Sequence, residues 1–366
     1  MAKVKKQTNF EMLRILSMLF IITLHILNHT EVLNNCKNLT TKYYILWIIN
    51  SIALTGVNIY VLISGYFLVE SKFKISKVIK IWSEVLFYSV SIYGALNLFG
   101  IIDFNIKEAI RAFMPILSKQ YWFATVYILM YILSPYMNKL INNMSKKENK
   151  IFMILIVILC CIINVVANPL TGGQVKILGG NIITFLMLYI IAANIRKYDY
   201  KINTKKCILL FIITIACICL SKFIPTYLYE NVIQDGLLEK IAILMYNYSS
   251  IGYVVASVLI FLIFKNINIK NKNINKLILM FSGLTFGVYL IHDNNFIRAI
   301  LWKNIFGELK FQNLTTTLLI VLIAIPIIFI VSAGIEYLRV KLFEKVNFKK
   351  VIDNLSNKVE KIIEKI

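Results

Sequence analysis

Apolar runs about as long as a membrane span recur along the 366-residue chain, and short polar segments separate them. A helix needs roughly 20 predominantly apolar residues to cross the hydrocarbon core of a bilayer. Hydrophobic residues make up 59% of the chain, which exceeds the share that is typical of soluble domains. This pattern predicts an all-α, polytopic membrane protein, and any chemistry must then be done by the helical bundle itself.

The apolar runs predict about ten transmembrane helices, whose ends are placed to within several residues. They are residues 10–28, 44–69, 81–101, 121–141, 151–168, 181–195, 207–223, 241–264, 277–297 and 315–338. Residues 105–114 are partly amphipathic, and we expect them to lie in the interface. We expect residues 1–340 to form a single transmembrane domain. Residues 341–366 then form a basic, amphipathic cytoplasmic tail, which we expect to lie on the anionic inner leaflet.

The chain carries 40 lysines and arginines against 18 acidic residues, a formal net charge of +22. If the N-terminus lies in the cytoplasm, most of these basic residues fall on the inner segments, as the positive-inside rule requires. Both termini are therefore predicted to be cytoplasmic. The basic excess is explained by topology and needs no nucleic-acid partner.

The first span, Phe10–His29, contains three ionisable side chains that are costly in a membrane and therefore indicate function. They are Glu11, Arg14 and His25. At 100° and 1.5 Å per residue, Arg14 and His25 share one helical face, about 16 Å apart along the axis. Glu11 lies three residues before Arg14 and is placed to pair with it.

Histidine is rare in this chain, with only His25, His29 and His292. The predicted topology brings all three toward the outer side. Imidazole is the usual proton acceptor near neutral pH. The alternative is that these rings are merely hydrated at the interface, and this alternative is strongest for His29. The six cysteines show neither C-x-x-C nor Cys/His spacing, so no metal site is expected.

Two further segments carry candidate binding residues. Lys77 and Lys80 share a helical face at the start of the third span and, with Lys74, are candidates to bind phosphates as point charges. The alternative is that they only mark the inner side. In the second span, Gly56 and Gly65 permit close helix approach.

Together these segments resemble acyltransferase family 3, the integral-membrane O-acyltransferases that modify glycans and other envelope molecules. The marks of the resemblance are spread over most of the chain. They are the arginine, ten residues, histidine pattern from Arg14 to His25, VLISGYFL at 61–68, the basic pair Lys77 and Lys80, YWFATVYILMYILSP at 121–135 and VYLIH at 288–292.

The resemblance implies a cytoplasmic acyl-CoA donor, usually acetyl-CoA, used as a co-substrate with no bound cofactor. It implies an acceptor that is reached from the outer side, an essential role for His25, and a place for Arg14 in the same motif. The chain departs from the family at the basic pair, where arginines followed by a proline are common. Here lysines and Trp82 stand instead, and lysine cannot form a bidentate fork with phosphate.

We therefore expect transfer of an acetyl group from cytoplasmic acetyl-CoA to a hydroxyl of a cell-envelope glycan or lipid-linked saccharide, in the plasma membrane of a bacterium. His25 is expected to act as general base or to form an acyl-histidine, with Arg14 and Glu11 along the donor path. Residues assigned to the acceptor or to a proton relay are His292, Tyr289 and Trp122.

The alternative from another class is a transporter that moves a polysaccharide or its precursor, because charges that face a bundle interior also line substrate pathways. The partners expected for the enzyme are an acyl-CoA donor, a saccharide and membrane lipids. The acceptor, the acyl chain length, the oligomeric state and the role of the tail stay open at this point.

Overall fold

The computed structural model describes residues 7–118, 120–163, 181–200 and 202–363. Within these ranges all regular structure is helical, which confirms the all-α fold. The α-helices are α1 (Thr8–His29), α2 (Thr41–Ala53), α3 (Thr55–Leu68), α4 (Ile75–Leu98), α5 (Ile106–Phe113), α6 (Trp122–Asn143), α7 (Lys146–Val157), α8 (Asn181–Tyr198), α9 (Thr204–Asn231), α10 (Gly236–Leu244), α11 (Ile251–Lys265), α12 (Lys272–Ser282), α13 (Thr285–His292), α14 (Asn295–Arg298), α15 (Leu314–Lys345) and α16 (Phe348–Ile363). π-helical turns at Ile158–Ile163 and Ala299–Ile305 and a 3-10 turn at Gly307–Phe311 complete the set.

By length and composition, four helical segments of the described chain qualify as membrane spans, and the bent pair α12–α13 makes a fifth if its halves count as one. The four are Thr8–His29, Thr41–Leu68, Thr204–Asn231 and Leu314–Lys345. The other predicted spans coincide with shorter or more polar helices. The predicted span 151–168 is described in the structure only as far as residue 163. The total of about ten spans therefore stays a prediction.

Three predicted spans are divided in the structure, because polar groups or a turn interrupt an apolar run. The run 44–69 breaks at Leu54, and the run 277–297 breaks at residues 283–284. The run 241–264 breaks between α10 and α11, where the Asn247 side chain accepts a hydrogen bond from the Ser249 N–H. Hydrophobic periodicity alone does not locate such breaks.

Several helices begin at a short polar side chain that caps their first free N–H groups. Asn105 caps α5, which forms over the segment predicted to be amphipathic. Ser145 and Glu148 form a reciprocal capping box at the start of α7. Hydrogen bonds from the Ser145 side chain and backbone lower the pKa of Glu148 below its ordinary value.

Polar contacts gather one set of helix ends into what we call the basic end of the bundle. The Asn9 side chain, at the start of α1, donates to the carbonyls of Phe264 (3.0 Å) and Lys265 (3.3 Å) at the end of α11. Arg196, near the end of α8, bonds Glu70 just beyond α3 at 2.6 Å. The Phe10 ring of α1 lies 4.9 Å from the Tyr66 ring near the end of α3, so the start of α1 and the ends of α3, α8 and α11 lie at one end of the bundle.

The opposite ends meet around the end of α1 at His29, and we call this the histidine end. Asn38 donates to Glu230 at 2.6 Å, which joins the segment after α1 to the end of α9. Lys42 donates to the Gln312 carbonyl at 2.7 Å, which joins α2 to the segment before α15. This grouping of helix ends is the one that the alternating charge pattern requires. The membrane face that each end meets stays a prediction.

The predicted close approach of helices at small residues is confirmed. A Cβ placed on Gly65 of α3 would lie 2.9 Å from the Tyr189 Cα and 3.0 Å from the Tyr189 carbonyl oxygen of α8. A Cβ on Gly56 would lie 2.9 Å from the Ser17 carbonyl oxygen of α1. Because the obstructing atoms are backbone, α3 fits between α1 and α8 only with glycine at these positions.

We expect Gly65→Ala to lower the free energy of unfolding by about 1–3 kcal/mol, because overpacking against backbone forces a helix to shift. Gly94→Ala in α4 is the matched control, since a Cβ there meets nothing within 4 Å. Thermal unfolding in detergent micelles measures both. Equal stability of the two variants would contradict the packing argument.

Candidate active site

One face of α1 carries the predicted charged pair at its start and an imidazole near its end. The Arg14 Nη1 lies 3.1 Å from Glu11 Oε2 and 3.4 Å from Oε1, so the predicted pair forms. Glu11 is buried, and about a quarter of the Arg14 side chain is exposed. Met18, Ile21 and His25 continue along the helix and line one cavity. The side chain of His25 is only 14% exposed and therefore faces the bundle interior.

The structure brings His25 into direct contact with His292, as the predicted depth of the two rings allows. The His25 Nδ1 lies 3.1 Å from the His292 Nε2. The His292 Nδ1 lies 2.6 Å from the backbone carbonyl of Val288, one turn earlier in α13. His292 is 1% exposed. The contact joins α1 to α13 across the interior of the bundle.

This chain of contacts determines which ring nitrogen of His25 is basic. A carbonyl oxygen only accepts, so the His292 Nδ1 carries a hydrogen and donates to Val288. In neutral His292 the lone pair then lies on Nε2, and the His25 Nδ1–H donates to it. The lone pair of neutral His25 is consequently on Nε2. An imidazole held in one tautomer in this way is poised as a base or nucleophile at Nε2.

Asp293 follows His292 and places a fully buried carboxylate beside the two rings. Its Oδ1 lies 3.4 Å from the His25 Nδ1. The Nε and Nη2 of Arg298 each lie 2.7 Å from the same oxygen, and the Nε donates a hydrogen bond to it. Its Oδ2 has no hydrogen-bond partner among the described residues. Asp293 is therefore a paired carboxylate, which favours positive charge on the adjacent imidazole.

The turn after α13 holds this carboxylate in place. Asp293 caps the end of α13, and Asn294 caps the start of α14, with its Oδ1 accepting from the Phe296 N–H at 3.0 Å. The Asn294 side chain also donates to the Tyr121 hydroxyl at 2.8 Å. Asn294 and Tyr121 are both inaccessible to solvent. The sequence His-Asp-Asn-Asn thus ends α13 and starts α14. The Asn294–Tyr121 hydrogen bond fixes this turn to the residue that precedes α6.

The cavity beside His25 is narrow and apolar. It is lined by Met18, Ile21, His25, Val57, Tyr60, Trp122, Phe123, Phe286 and Tyr289. Its volume of about 20 Å³ is room for a single water molecule. Three of the residues predicted around the acceptor are thereby placed: Trp122 and Tyr289 line the cavity, and His292 contacts His25 from behind. The hydroxyl of Tyr289 has no hydrogen-bond partner among the described residues.

Three side chains at this site also offer ligand atoms for a cation. Donor atoms of His25, His29 and Asp293 all lie within 4.8 Å of one another. The Arg298 guanidinium already bonds the Asp293 carboxylate and would repel a cation there. We therefore derive no metal-dependent step from this cluster.

A larger cavity of about 430 Å³ lies at the basic end, between the start of α4, the end of α15 and the tail helix α16. Its cationic lining comes from Lys77, Lys80, Arg339 and Lys349. The predicted pair Lys77 and Lys80 is thus brought together with two cations from distant sequence. Lys74 does not line the cavity, and its backbone N–H donates to the Tyr131 hydroxyl at 3.1 Å.

A buried acidic cluster lies under this cavity and reaches α13. The Arg339 guanidinium binds Glu336 through two hydrogen bonds of 2.7 and 2.6 Å and lies 3.4 Å from Glu84. The Tyr88 hydroxyl donates to Glu336 at 2.6 Å. A Cβ on Gly287 would overlap the Glu336 carboxyl. The cluster therefore connects the floor of the basic-end cavity to the helix that carries His292.

The sequence analysis missed Asp293, Arg298, Glu336 and Arg339. Glu336 lies inside the predicted tenth span, so the rule that marks intramembrane ionisable residues would have found it. Asp293 lies inside the predicted ninth span, directly after a histidine that was already a candidate. Arg298 and Arg339 lie just outside predicted spans. Basic residues are common at such positions and normally indicate only the orientation of the helices.

Comparison with known proteins gives a match over nearly the whole bundle. A family model described as an acyltransferase domain matches residues 7–337 of the 366-residue chain. The matched range includes α1, α13 and the acidic residues Glu84 and Glu336, and it ends two residues before Arg339 and before the tail helix α16. No curated protein and no solved structure was found to match the chain. The chain therefore belongs to acyltransferase family 3 and is a membrane acyltransferase.

Proposed function

We propose that this protein is a multi-pass plasma-membrane O-acyltransferase that moves an acetyl group from cytoplasmic acetyl-CoA to a hydroxyl of a cell-envelope glycan or lipid-linked saccharide. The observation that carries the proposal is the His25–His292 contact of 3.1 Å at the wall of a narrow cavity. His25 lines this interior space in a chain of an acyltransferase family, and its contact with His292 leaves the basic lone pair on Nε2.

The proposed reaction uses His25 Nε2 as general base. It accepts the proton of the acceptor hydroxyl while that oxygen attacks the thioester carbonyl carbon. The tetrahedral intermediate then expels the CoA sulfur, which takes the proton back from Nε2, so that an ester and a free thiol result. In the other route, Nε2 attacks the thioester carbonyl carbon and the C–S bond breaks, which releases the CoA thiolate. The acceptor oxygen then attacks the acyl-histidine, the N–C bond breaks, and the hydroxyl proton passes to the thiolate.

Asp293 and His292 support either route from behind the reacting nitrogen. When Nε2 takes a proton or an acyl group, His25 becomes positively charged. The buried carboxylate 3.4 Å from Nδ1 then stabilises that charge, because a paired charge in a low-dielectric interior interacts strongly. His292 holds the ring orientation through its hydrogen bond to Nδ1.

The donor is proposed to bind with its phosphates at the basic-end cavity. Lys77, Lys80 and Lys349 supply ammonium groups there, and Arg339 supplies the guanidinium that the basic pair itself lacks. A planar guanidinium offers the directed donors that lysine does not. Arg339 is held in place by Glu336, so its orientation is set before the donor arrives.

The pantetheine arm is proposed to run from that cavity toward His25, past Arg14 and Glu11. The cavity beside His25 now has room for one water molecule, so the acetyl end enters only if lining side chains change rotamer. Met18, an unbranched side chain in this lining, is suited to such movement. The acceptor is proposed to reach His25 from the histidine end.

The alternative function is a transporter. A transporter would move the saccharide across the membrane and leave acetyl-CoA intact. Release of free CoA thiol by purified protein, measured with a thiol reagent, separates the two. Family membership supports the transferase.

We expect His25→Ala to reduce acetyl transfer by about 10²–10⁴-fold, the contribution of a positioned general base. Glycan acetylation in cells and CoA release by purified protein both measure it. The matched control is His29→Ala, because His29 makes ring contacts with His25 and Trp302 but does not hold the His25–His292 hydrogen bond. Normal acetylation by His25→Ala at normal protein level would rule out the catalytic assignment.

Asp293→Asn is expected to reduce kcat by about 10²-fold or more with an unchanged KM for acetyl-CoA, because the neutral amide no longer stabilises a charged imidazole. Steady-state kinetics and the thermal midpoint are measured on the same sample. A purely structural role would appear as a lower thermal midpoint with kcat retained per folded molecule.

The double variant Lys77→Met/Lys80→Met is expected to raise the KM for acetyl-CoA at least tenfold while kcat stays within about threefold, since each charge-assisted bond to phosphate contributes about 1.5–3 kcal/mol. Lys74→Met is the control, because Lys74 lies nearby in sequence but does not line the cavity. An equal rise in KM for Lys74→Met would indicate a general surface-charge effect and contradict a defined phosphate site.

A further inference from the structure

A third cavity, of about 210 Å³, lies at the histidine end and is used by neither half of the proposed reaction. It lies between α2, α9, α10 and the segment that directly follows α1. The lining residues that matter here are Asn34, Asn38, Trp47, Lys222, Tyr229 and Glu239. Because Asn34 and Asn38 follow His29 closely, the cavity lies at the same end of α1 as His25.

Lys222 makes this cavity unusual. It is only 6% exposed, and within the described chain its ammonium has no hydrogen bond and no carboxylate at ion-pair distance. Its contacts are with aromatic faces: Nζ lies 3.8 Å from the centroid of Trp47 and 5.5 Å from that of Tyr246. Buried ammonium groups are normally paired, because burial without a partner is costly. Cation–π contacts of about 0.5–2 kcal/mol offset only part of that cost.

The aromatic rings that contact the Lys222 ammonium also contact each other. The Trp47 and Tyr246 rings pack edge-on, with centroids 5.0 Å apart. The surrounding frame is fixed: the Tyr43 and Thr226 hydroxyls are 3.0 Å apart, and the Ser51 and Tyr246 hydroxyls are 2.9 Å apart. These contacts tie α2 to α9 and to the segment after α10. The cavity therefore holds an unpaired ammonium in a rigid frame, and anionic oxygens are the partner that such a group binds most strongly.

We infer that this cavity binds an anionic saccharide, a sugar unit that bears a carboxylate or a phosphate. The Lys222 ammonium bonds the anionic oxygen and thereby gains the partner it lacks. Tyr229 and Trp47 offer aromatic surface to the apolar face of the sugar ring. Asn34 and the Glu239 carboxylate offer a donor and an acceptor for its hydroxyls. The volume lies below the range for drug-sized ligands, so one sugar unit is accommodated.

If the bound sugar is the acetyl acceptor, the inference rests on the proposed function and narrows the acceptor glycan to an anionic one. The binding itself does not depend on that function, because it uses none of the residues around His25. The other source of the same chemistry is the headgroup of an anionic lipid. The experiment below separates the two sources.

The test uses the full chain in phosphatidylcholine nanodiscs and three probes: glucuronate, glucose 1-phosphate and glucose. Ligand-observed NMR titration gives a Kd for each. We expect both charged sugars to bind at least tenfold more tightly than glucose. Lys222→Met should remove this preference, since a bond to a charged group contributes more than a neutral one, while Lys222→Arg should keep it. Lys240→Met, an exposed lysine of α10 outside the cavity, should bind as the wild type does.

Three results would overturn the inference. One is equal affinity for glucose and the charged sugars. Another is an unchanged Kd in Lys222→Met that melts at the wild-type temperature. The third is loss of sugar binding when phosphatidylglycerol is added to the nanodiscs, which would assign the cavity to a lipid headgroup. His25→Ala separates this inference from the proposed function, because it should bind the charged sugars normally while transferring acetyl groups about 10²–10⁴-fold more slowly.

Discussion

An ionisable side chain inside an apolar bundle must find a partner, and this requirement shapes the interior of the protein. Burying an isolated charge is far more costly than burying a paired one. Glu11 binds Arg14, Asp293 binds Arg298, and Glu336 binds Arg339. The first and third pairs each lie within one helix turn. Asp293 also contacts His25 of α1, and Arg339 also contacts Glu84 of α4. The helices that carry the candidate site are therefore aligned by charge pairing as well as by apolar packing.

Much of this arrangement was predictable from the sequence, because helical periodicity and hydrophobic length are local properties. The face shared by Arg14 and His25 follows from 100° per residue alone. The contact between His25 and His292 is harder to predict, because the directions of two separate spans must be known before the two rings can be placed at the same depth. The alternation of basic segments supplied those directions, and the 3.1 Å contact agrees with them.

The rest could not be predicted, for physical reasons that differ between residues. Lys77 and Lys80 were visible as a pair, but Arg339 and Lys349 join them only through the packing of α15 and the tail helix. Lys222 lies at the end of an apolar run, where a lysine normally extends to the interface. Only the aromatic frame around its ammonium shows that it does not. The breaks between α2 and α3 and between α12 and α13 fall inside continuous apolar runs, so hydrophobicity alone does not locate them.

Gly287 allows one carboxylate to lie against two parts of the molecule. The Glu336 carboxyl occupies the space that any side chain at position 287 would need, and the same carboxyl accepts two hydrogen bonds from Arg339 at the floor of the basic-end cavity. Close-packed interiors contain little free volume to absorb an added group. A side chain at position 287, five residues before His292, would therefore displace the carboxylate that neutralises Arg339. The absence of a Cβ in α13 thus preserves the charge balance of the other cavity.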